Sequence, residues 1–142
     1  MVPLYITFGT GSILVIMSAY VISIKNKTKL HYSFLLVAVG VLVWTLAVMM
    51  RGLAQSFDEV VFWENVTYIG IAFVPVTLIL LANAYSRPDK PLSGKLWLLF
   101  IIPCITQILA WTNDLHHLFY LKYGWEALGT QNEAGLYFYV HA

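Results

Sequence analysis

Residues 62–85 read FWENVTYIGIAFVPVTLILLANAY, and this stretch decides the fold class. Its only formal charge is Glu64, which lies near one end. A helix needs about 20 mainly apolar residues to cross the roughly 30 Å of hydrocarbon in a bilayer. A charge near the membrane surface costs much less than one at the bilayer centre. The stretch therefore predicts a transmembrane helix with Glu64 at one membrane surface.

Three further apolar segments, residues 4–24, 32–50 and 96–112, contain no charged residue. The first is too long for the apolar part of a secretory signal peptide, and its flanking charges follow it instead of preceding it. We therefore predict an all-α, polytopic transmembrane helix bundle with four spans, followed by an outer loop at residues 113–142. The composition agrees, because 60% of the 142 residues are hydrophobic, 11% are charged and the mean hydropathy is +0.76.

The same composition excludes several classes of protein. An ordinary soluble domain carries about 25% charged residues, and a disordered chain has few aromatic residues. A net charge of +1 gives no general attraction for phosphate, so a nucleic-acid partner is not expected. The single cysteine, Cys104, allows neither an internal disulfide nor a cysteine metal cluster. The expected partner is the lipid bilayer.

The basic residues predict the orientation of the spans. Six of the eight fall in the two loops that follow the first and third spans: Lys25, Lys27, Lys29, Arg87, Lys90 and Lys95. Six of the seven acidic residues lie on the other side: Asp58, Glu59, Glu64, Asp114, Glu126 and Glu133. Because loops rich in lysine and arginine stay in the cytoplasm, the N-terminus is predicted to be extracytoplasmic.

No motif for catalysis is present in the sequence. It contains no phosphate-binding glycine loop, no nucleophile elbow and no cysteine or histidine set at zinc spacing, so we predict no catalytic residue, metal or cofactor. His116 and His117 are adjacent, and adjacent side chains point in different directions on a helix or a strand. We interpret them as polar residues of the membrane interface. Metal ligation and proton sensing are the weaker alternatives.

A polar group is predicted at the outer ends of the second and third spans. Arg51 lies at the end of the second span and Glu64 near the start of the third, and one short loop joins these two helices. An ion pair between the two side chains is therefore expected. This group is interpreted as a clamp that holds the bundle end, with an extracytoplasmic binding pocket as the alternative. In the pocket interpretation, the apolar walls would come from Trp63, Tyr68 and Trp111.

Pro75 lies in the middle of the third span and removes one helical hydrogen bond there, which predicts a kink. The kink is either static or changes its angle with a signal. One face of this helix is expected to point into the bundle, and it comprises Asn65, Tyr68, Ala72, Pro75, Ile79 and Asn83. In the first span, small residues at Ser12, Ala19 and Ser23 predict a packing face.

Several loose motifs together resemble a known family. They are WENxxYxG at residues 63–70, Pro75, NxY at residues 83–85, Pro103 after a short proline-bearing loop, and TNxxHxLF at residues 112–119. The chain thereby resembles the N-terminal seven-transmembrane sensor region of bacterial histidine kinases. The resemblance covers the first four of seven helices, so the chain corresponds to a partial seven-helix domain.

The resemblance implies a multi-pass input domain in the inner membrane that senses a stimulus for a two-component histidine kinase. It also implies partners, namely the remaining helices and the cytoplasmic kinase of the parent protein, and a homodimer. This sequence contains no effector of its own, and the resemblance does not identify a ligand. The candidate sensing residues are Arg51, Trp63, Glu64, Asn65, Tyr68, Pro75, Trp111, Asn113 and His116.

Two other functions compete with this interpretation. A fragment of a transporter or channel would call for ionisable groups in the middle of a span, and none of the four segments has one. A small stand-alone membrane subunit is the second rival. The sequence leaves open whether residues 136–140 begin a surface strand or a fifth span.

Overall fold

Helices make up most of the chain in the computed structural model, which describes residues 4–125 and 130–141. The long helical segments are α1 (Leu4–Ser23), α2 (Lys29–Leu53), α3 (Phe57–Ser86), and a 3₁₀ helix (Gly94–Phe100) that runs directly into α4 (Ile101–Trp111). They are followed by α5 (Asn113–His116), β1 (Tyr120–Lys122), β2 (Glu133–Ala134) and α6 (Leu136–His141). The predicted all-α membrane helix bundle is confirmed, with a small antiparallel β1/β2 pair as the exception.

Helix α3 begins and ends where local chemistry requires it. Ser56 caps its first turn, because the Ser56 hydroxyl accepts the Glu59 backbone N–H at 3.3 Å. The Glu59 carboxylate in turn accepts the Gln55 N–H at 2.8 Å. At the other end, Arg87 precedes Pro88, and a residue before proline is disfavoured in the helical region. The helix therefore stops at Ser86.

Three helical segments are long and apolar enough to cross a membrane: Lys29–Leu53, Phe57–Ser86 and Gly94–Trp111. In α1, Phe8–Ser23 is a shorter apolar helix. Large apolar side chains are exposed along these helices, including Ile16 and Tyr20 of α1 and Val39 of α2. Such a surface suits contact with lipid and would be costly in water. Four crossings remain a prediction for the chain.

The two lysine-bearing loops lie at the same end of the bundle. The Lys29 ammonium group donates to the backbone carbonyls of Arg87 and Lys90. Arg87 is the residue directly after α3, so this lysine satisfies a carbonyl at the end of that helix. Helices α2 and α3 are therefore antiparallel neighbours, and their other ends meet at Arg51 and Glu64.

Gly70 allows the backbone of α3 to approach α2 closely at Trp44. A Cβ atom at this position would lie 2.3 Å from Trp44 Cβ and 2.9 Å from Trp44 Cα. Helices in lipid associate through small residues that let their backbones approach, since burying apolar surface gains little there. Gly70 thus sets the distance between the most extensively packed pair of helices, with α1 packed against α2 and α4 against α3.

Gly70→Ala is expected to destabilise the bundle by roughly 1–3 kcal/mol, because the added methyl group overlaps Trp44 and forces the two helices apart. Thermal unfolding in detergent measures the effect. Gly52→Ala is the matched control, since an added Cβ at Gly52 meets nothing within 4 Å and alanine favours a helix. Equal melting temperatures for Gly70→Ala and the unmodified protein would contradict this packing.

Two expectations about helix faces are wrong. On α3, Asn65, Tyr68 and Ala72 are buried as predicted, but Pro75 and Ile79 are exposed. The buried face continues instead through Val76, Leu80 and Ala84, because α3 packs against both α2 and α4.

On α1, the predicted packing residues Ser12, Ala19 and Ser23 are exposed. Gly11 instead points towards α2, with an added Cβ 3.9 Å from the Thr45 side chain. The small residues of α1 therefore do not mark one continuous contact face.

The predicted outer loop is a folded unit, which we call the cap (residues 113–125 and 130–141). Backbone N–H groups of Gly135 and Tyr137 donate to the carbonyls of Phe119 and Leu118, both at 2.8 Å, and so join its two halves. Residues 136–141 form helix α6, so this segment is not a surface strand, and a fifth span beginning here remains a prediction. The Tyr137 and Thr106 hydroxyls lie 3.0 Å apart and tie α6 to α4. The aromatic core of the described residues lies here, where the cap meets α3 and α4.

Candidate functional site

The buried Glu64 carboxylate connects four parts of the chain. Its Oε2 lies 2.5 Å from Arg51 Nε, so the predicted ion pair between α2 and α3 is present. Its Oε1 accepts hydrogen bonds from the Tyr120 hydroxyl at 3.0 Å and from Asn132 Nδ2 at 2.8 Å. A buried carboxylate is tolerated only when it is paired and hydrogen-bonded. Each half of the cap therefore supplies a hydrogen-bond donor to this buried charge.

Tyr120 links Glu64 to Tyr68 on the next turn of α3. The two hydroxyl oxygens are 2.5 Å apart. An ionised carboxylate can only accept hydrogen bonds, so the Tyr120 hydroxyl donates its hydrogen bond to Glu64. The Tyr68 hydroxyl must then donate a hydrogen bond to the Tyr120 oxygen. Burial raises the pKa of Tyr120 far above its usual range, and the Glu64 charge raises it further. Tyr120 therefore stays a neutral donor at physiological pH.

Phe119 forms the apolar base of this network. Its side chain is fully buried, and its ring packs edge-on against Tyr68 with ring centroids 4.6 Å apart. Phe138 of α6 also packs edge-on against Phe119, at 6.1 Å. These rings keep water away from the hydroxyls, and hydrogen bonds strengthen where the local dielectric is low.

Asn113 holds Phe119 and Tyr120 in place. Its Oδ1 accepts the backbone N–H groups of Phe119 at 2.9 Å and Tyr120 at 3.0 Å, and its Nδ2 donates to the Tyr120 carbonyl at 2.8 Å. The side chain is buried, so these backbone groups have no access to water. Asn113 is thus a positioning residue for the Tyr120 hydroxyl.

Asn65 takes part through a separate contact, in which its Oδ1 accepts the Tyr123 hydroxyl at 3.2 Å. Burial, followed by the charge of Asp114, raises the pKa of Tyr123 to about 12. The cap therefore touches α3 through three polar residues, Glu64, Asn65 and Tyr68.

The raised pKa predicts how the cap responds to alkali. Tyr123 titrates at about 12 when folded, against 10.0 in its ordinary state, so its neutral form favours folding. This contribution is complete below a pH of about 10 and is lost as the pH rises towards about 12. The measurement is phenolate absorbance during an alkaline titration of the unmodified protein and of Tyr123→Phe. The difference between the two titration curves should appear near pH 12. Titration of Tyr123 near its ordinary pKa would contradict the buried contact with Asn65.

His116 supports the turn of the cap. Its Nδ1 accepts the Leu118 N–H at 3.0 Å, and its Nε2 lies 3.1 Å from the Thr112 hydroxyl. The next residue, His117, has a φ of 52° and ends α5 in the left-handed conformation. Among the described residues, no group of three histidine, cysteine or acidic side chains could hold a metal ion.

The remaining predicted residues are not part of the network. Trp63 and Trp111 both contact Phe62, with ring centroids 5.1 and 5.7 Å apart, on the outer surface of α3 and α4. Trp111 is 47% exposed, so these rings form a surface aromatic group instead of pocket walls. Pro75 lies on the exposed side of α3, about three turns beyond Glu64 along the helix.

The candidate sensing residues predicted from the sequence leave out four members of this network: Tyr120, Asn132, Phe119 and Tyr123. Phe119 is the last residue of the TNxxHxLF motif, and the run from Phe119 to Tyr123 has three aromatic residues and lies outside the spans; these are the signals that mark it. Asn132 carries no signal, because it reaches Glu64 from 68 residues away.

The model of the family described as "N-terminal 7TM region of histidine kinase" matches residues 6–142, which is nearly the whole chain. No curated protein and no solved structure matches the chain.

Proposed function

This chain belongs to the family of N-terminal seven-transmembrane regions of histidine kinases, and from that premise we propose that it senses a stimulus through the contact between the cap and Glu64. A stimulus that reaches the outer side would favour one arrangement of the cap on α3 over another. The helices that follow would carry this change to a cytoplasmic kinase. A stimulus shifts such an equilibrium only as far as its affinities for the two arrangements differ.

The observation that carries this proposal is the convergence on Glu64. One carboxylate receives Arg51 of α2, Tyr120 from the first half of the cap and Asn132 from the second. Displacing either half of the cap leaves a buried charge with fewer partners, which is costly. The cap and the bundle therefore cannot move independently, and two discrete arrangements are favoured over gradual deformation.

The candidate sensing residues take different roles in this mechanism. Arg51, Glu64, Asn65 and Tyr68 form the receiving surface of the bundle, and Asn113 and His116 shape the part of the cap that docks there. Trp63 and Trp111 serve as interfacial anchors. A bend at Pro75 would carry a shift at the outer end of α3 to its inner end.

The proposed orientation places the cap outside the cell, in the inner membrane, with the N-terminus extracytoplasmic. The joined position of the two basic loops supports it, since basic loops remain in the cytoplasm. The matched family describes a membrane region and not a catalytic domain, so the phosphotransfer is assigned to the parent kinase. A homodimer is proposed because histidine kinases of this kind act in pairs.

Glu64→Gln in the parent kinase, assayed as autophosphorylation in native membranes, tests this function. The amide keeps the shape but offers only one acceptor oxygen, so it cannot serve all three partners. Basal autophosphorylation is expected to change by roughly tenfold, which corresponds to a shift of about 1.4 kcal/mol between the two arrangements. Glu133→Gln is the matched control, because it makes the same change in the cap at an exposed ion pair with Lys122.

Autophosphorylation equal to that of the unmodified kinase in Glu64→Gln, at equal protein levels in the membrane, would refute the proposed role of the contact. An equal change in Glu133→Gln would also refute it, because the effect would then not depend on the buried site. Spin labels or accessibility probes at Lys27 and Lys90 test the orientation separately, and both residues are expected to react only from the cytoplasmic side.

A further inference from the structure

The helical turn of α4 continues into α5 without a change of face. Buried residues recur three or four positions apart across the junction, at Pro103, Thr106, Ala110 and Asn113. Between the two helices, the Thr112 N–H still donates to the Ile108 carbonyl at 3.0 Å. The side of α5 that points away from the bundle is therefore the continuation of the exposed side of α4.

A stripe of large apolar side chains occupies this exposed side. Ile101, Ile108 and Leu115 follow one another at intervals of seven residues and are 52%, 62% and 85% exposed. Ile105 lies between the first two and is also exposed. We call these four residues the α4 stripe. No charged residue occurs between positions 96 and 113, so the stripe is apolar from Ile101 to Ile108, and the exposed Asp114 directly precedes Leu115 at its end.

Leu115 extends the stripe beyond the level of the interfacial aromatics. Trp111 and Phe62 are in ring contact at the outer end of the spans, where aromatic side chains mark the membrane surface. Leu115 is four residues further along, which is about 6 Å at the rise of a helix. A leucine this exposed in the cap would be unfavourable if water surrounded it.

We propose that the cap is docked onto the lipid of the membrane leaflet at the Glu64 end of the bundle, with Leu115 inserted among the acyl chains as the last residue of the α4 stripe. In the orientation given above, this is the outer leaflet. The lipid contact itself does not depend on that orientation or on signalling.

Lipid suits this surface better than a second protein helix. The helix contacts of this bundle use small residues, with Gly70 against Trp44 and Ala110 buried in the core between α4, α3 and the cap. Small residues allow the close backbone approach on which helix association in lipid depends. The α4 stripe has only large, branched side chains, which would hold a second helix away. Its apolar surface is continuous with the membrane-facing side of a spanning segment.

This docking places the leaflet and the Glu64 network on opposite sides of one short helix. Leu115 faces the lipid, and Asn113, two residues earlier, holds the backbone of Phe119 and Tyr120 on the other side. A change in lipid packing or thickness that moves Leu115 would therefore move Asn113 and the Tyr120 hydroxyl with it. The state of the lipid leaflet would thereby influence the contact between the cap and Glu64, in addition to the stimulus proposed above.

Spin-label accessibility tests the lipid contact. The parent protein, with Cys104→Ser and any other cysteines replaced, would carry a nitroxide at one of three sites: Leu115, Ile108 or Lys122. It is reconstituted into phosphatidylethanolamine and phosphatidylglycerol vesicles. Collisions with oxygen, which concentrates in lipid, are compared with collisions with a water-soluble nickel complex. All three sites are exposed, so a label there should leave the fold intact.

The label at Leu115 is expected to resemble the one at Ile108, with oxygen the stronger relaxing agent, and to differ from the label at Lys122, where the nickel complex should dominate. A label at Leu115 that behaves like the one at Lys122 would place the residue in water and overturn the proposal. Low accessibility to both agents would overturn it as well, because a second copy or another helix would then cover the stripe.

Discussion

Asn113→Ala is expected to unfold the cap while leaving the spans helical. The substitution removes three hydrogen bonds and leaves two buried N–H groups and one buried carbonyl without partners. Each buried polar group left unsatisfied costs about 1–3 kcal/mol. The expected loss is therefore at least about 3 kcal/mol, a value comparable to the whole stability of a small subdomain. Limited proteolysis in detergent measures it, as rapid cleavage within residues 113–141.

Asp114→Asn is the control for this substitution. Asp114 is the exposed neighbour of Asn113, and a surface change of this kind stays within about 0.5 kcal/mol. If Asn113→Ala resists the protease as well as the control, the cap is not held by the Asn113 side chain.

The second large effect is expected from the Arg51 and Glu64 pair, studied as a double-mutant cycle. Arg51→Met alone leaves the Glu64 carboxylate buried without its cation, and Glu64→Gln alone leaves the guanidinium without its anion. Removing one partner of a buried ion pair costs roughly 3–5 kcal/mol. The Arg51 side chain is 23% exposed, so water weakens this pair relative to a fully buried one. We therefore expect each single variant to lose only about 2 kcal/mol of unfolding free energy.

The double variant Arg51→Met with Glu64→Gln is expected to lose less than the two single variants together, since neither charge is then left alone. Melting temperatures in detergent give the coupling. Lys122→Met with Glu133→Gln is the parallel cycle at an exposed pair 3.6 Å apart, where the coupling should stay below about 1 kcal/mol. Additive losses at Arg51 and Glu64 would show that the two charges do not stabilise each other.

The bundle and one part of the site could be predicted from the sequence, because their signals are local. Apolar segments about 20 residues long predict membrane helices wherever they occur. The Arg51 and Glu64 pair followed from the short connection between two antiparallel helices, which brings the ends of those helices to the same depth. Asn65 and Tyr68 were identified as inward-facing because they lie one turn apart on α3.

The cap could not be predicted, because its contacts join residues distant in the chain. Tyr120 reaches Glu64 across 56 residues and Asn132 across 68. A segment without regular hydrophobic periodicity gives no indication of which part of the chain it will meet. Pro75 was placed on the wrong face for a related reason. Helical spacing describes one helix, whereas the buried side of α3 is set by the neighbours on its two flanks.

The docking of the cap on Glu64 is tested most directly by amide hydrogen exchange at Phe119 and Tyr120. Their N–H groups are bound by Asn113, and the Tyr120 hydroxyl reaches Glu64. In lipid nanodiscs, exchange at these two amides is expected to be roughly tenfold faster or more in Glu64→Gln than in the unmodified protein, because local opening becomes easier by about 1.4 kcal/mol. Exchange in Glu133→Gln should remain unchanged. Equal protection of these amides in the unmodified protein and Glu64→Gln would contradict this docking.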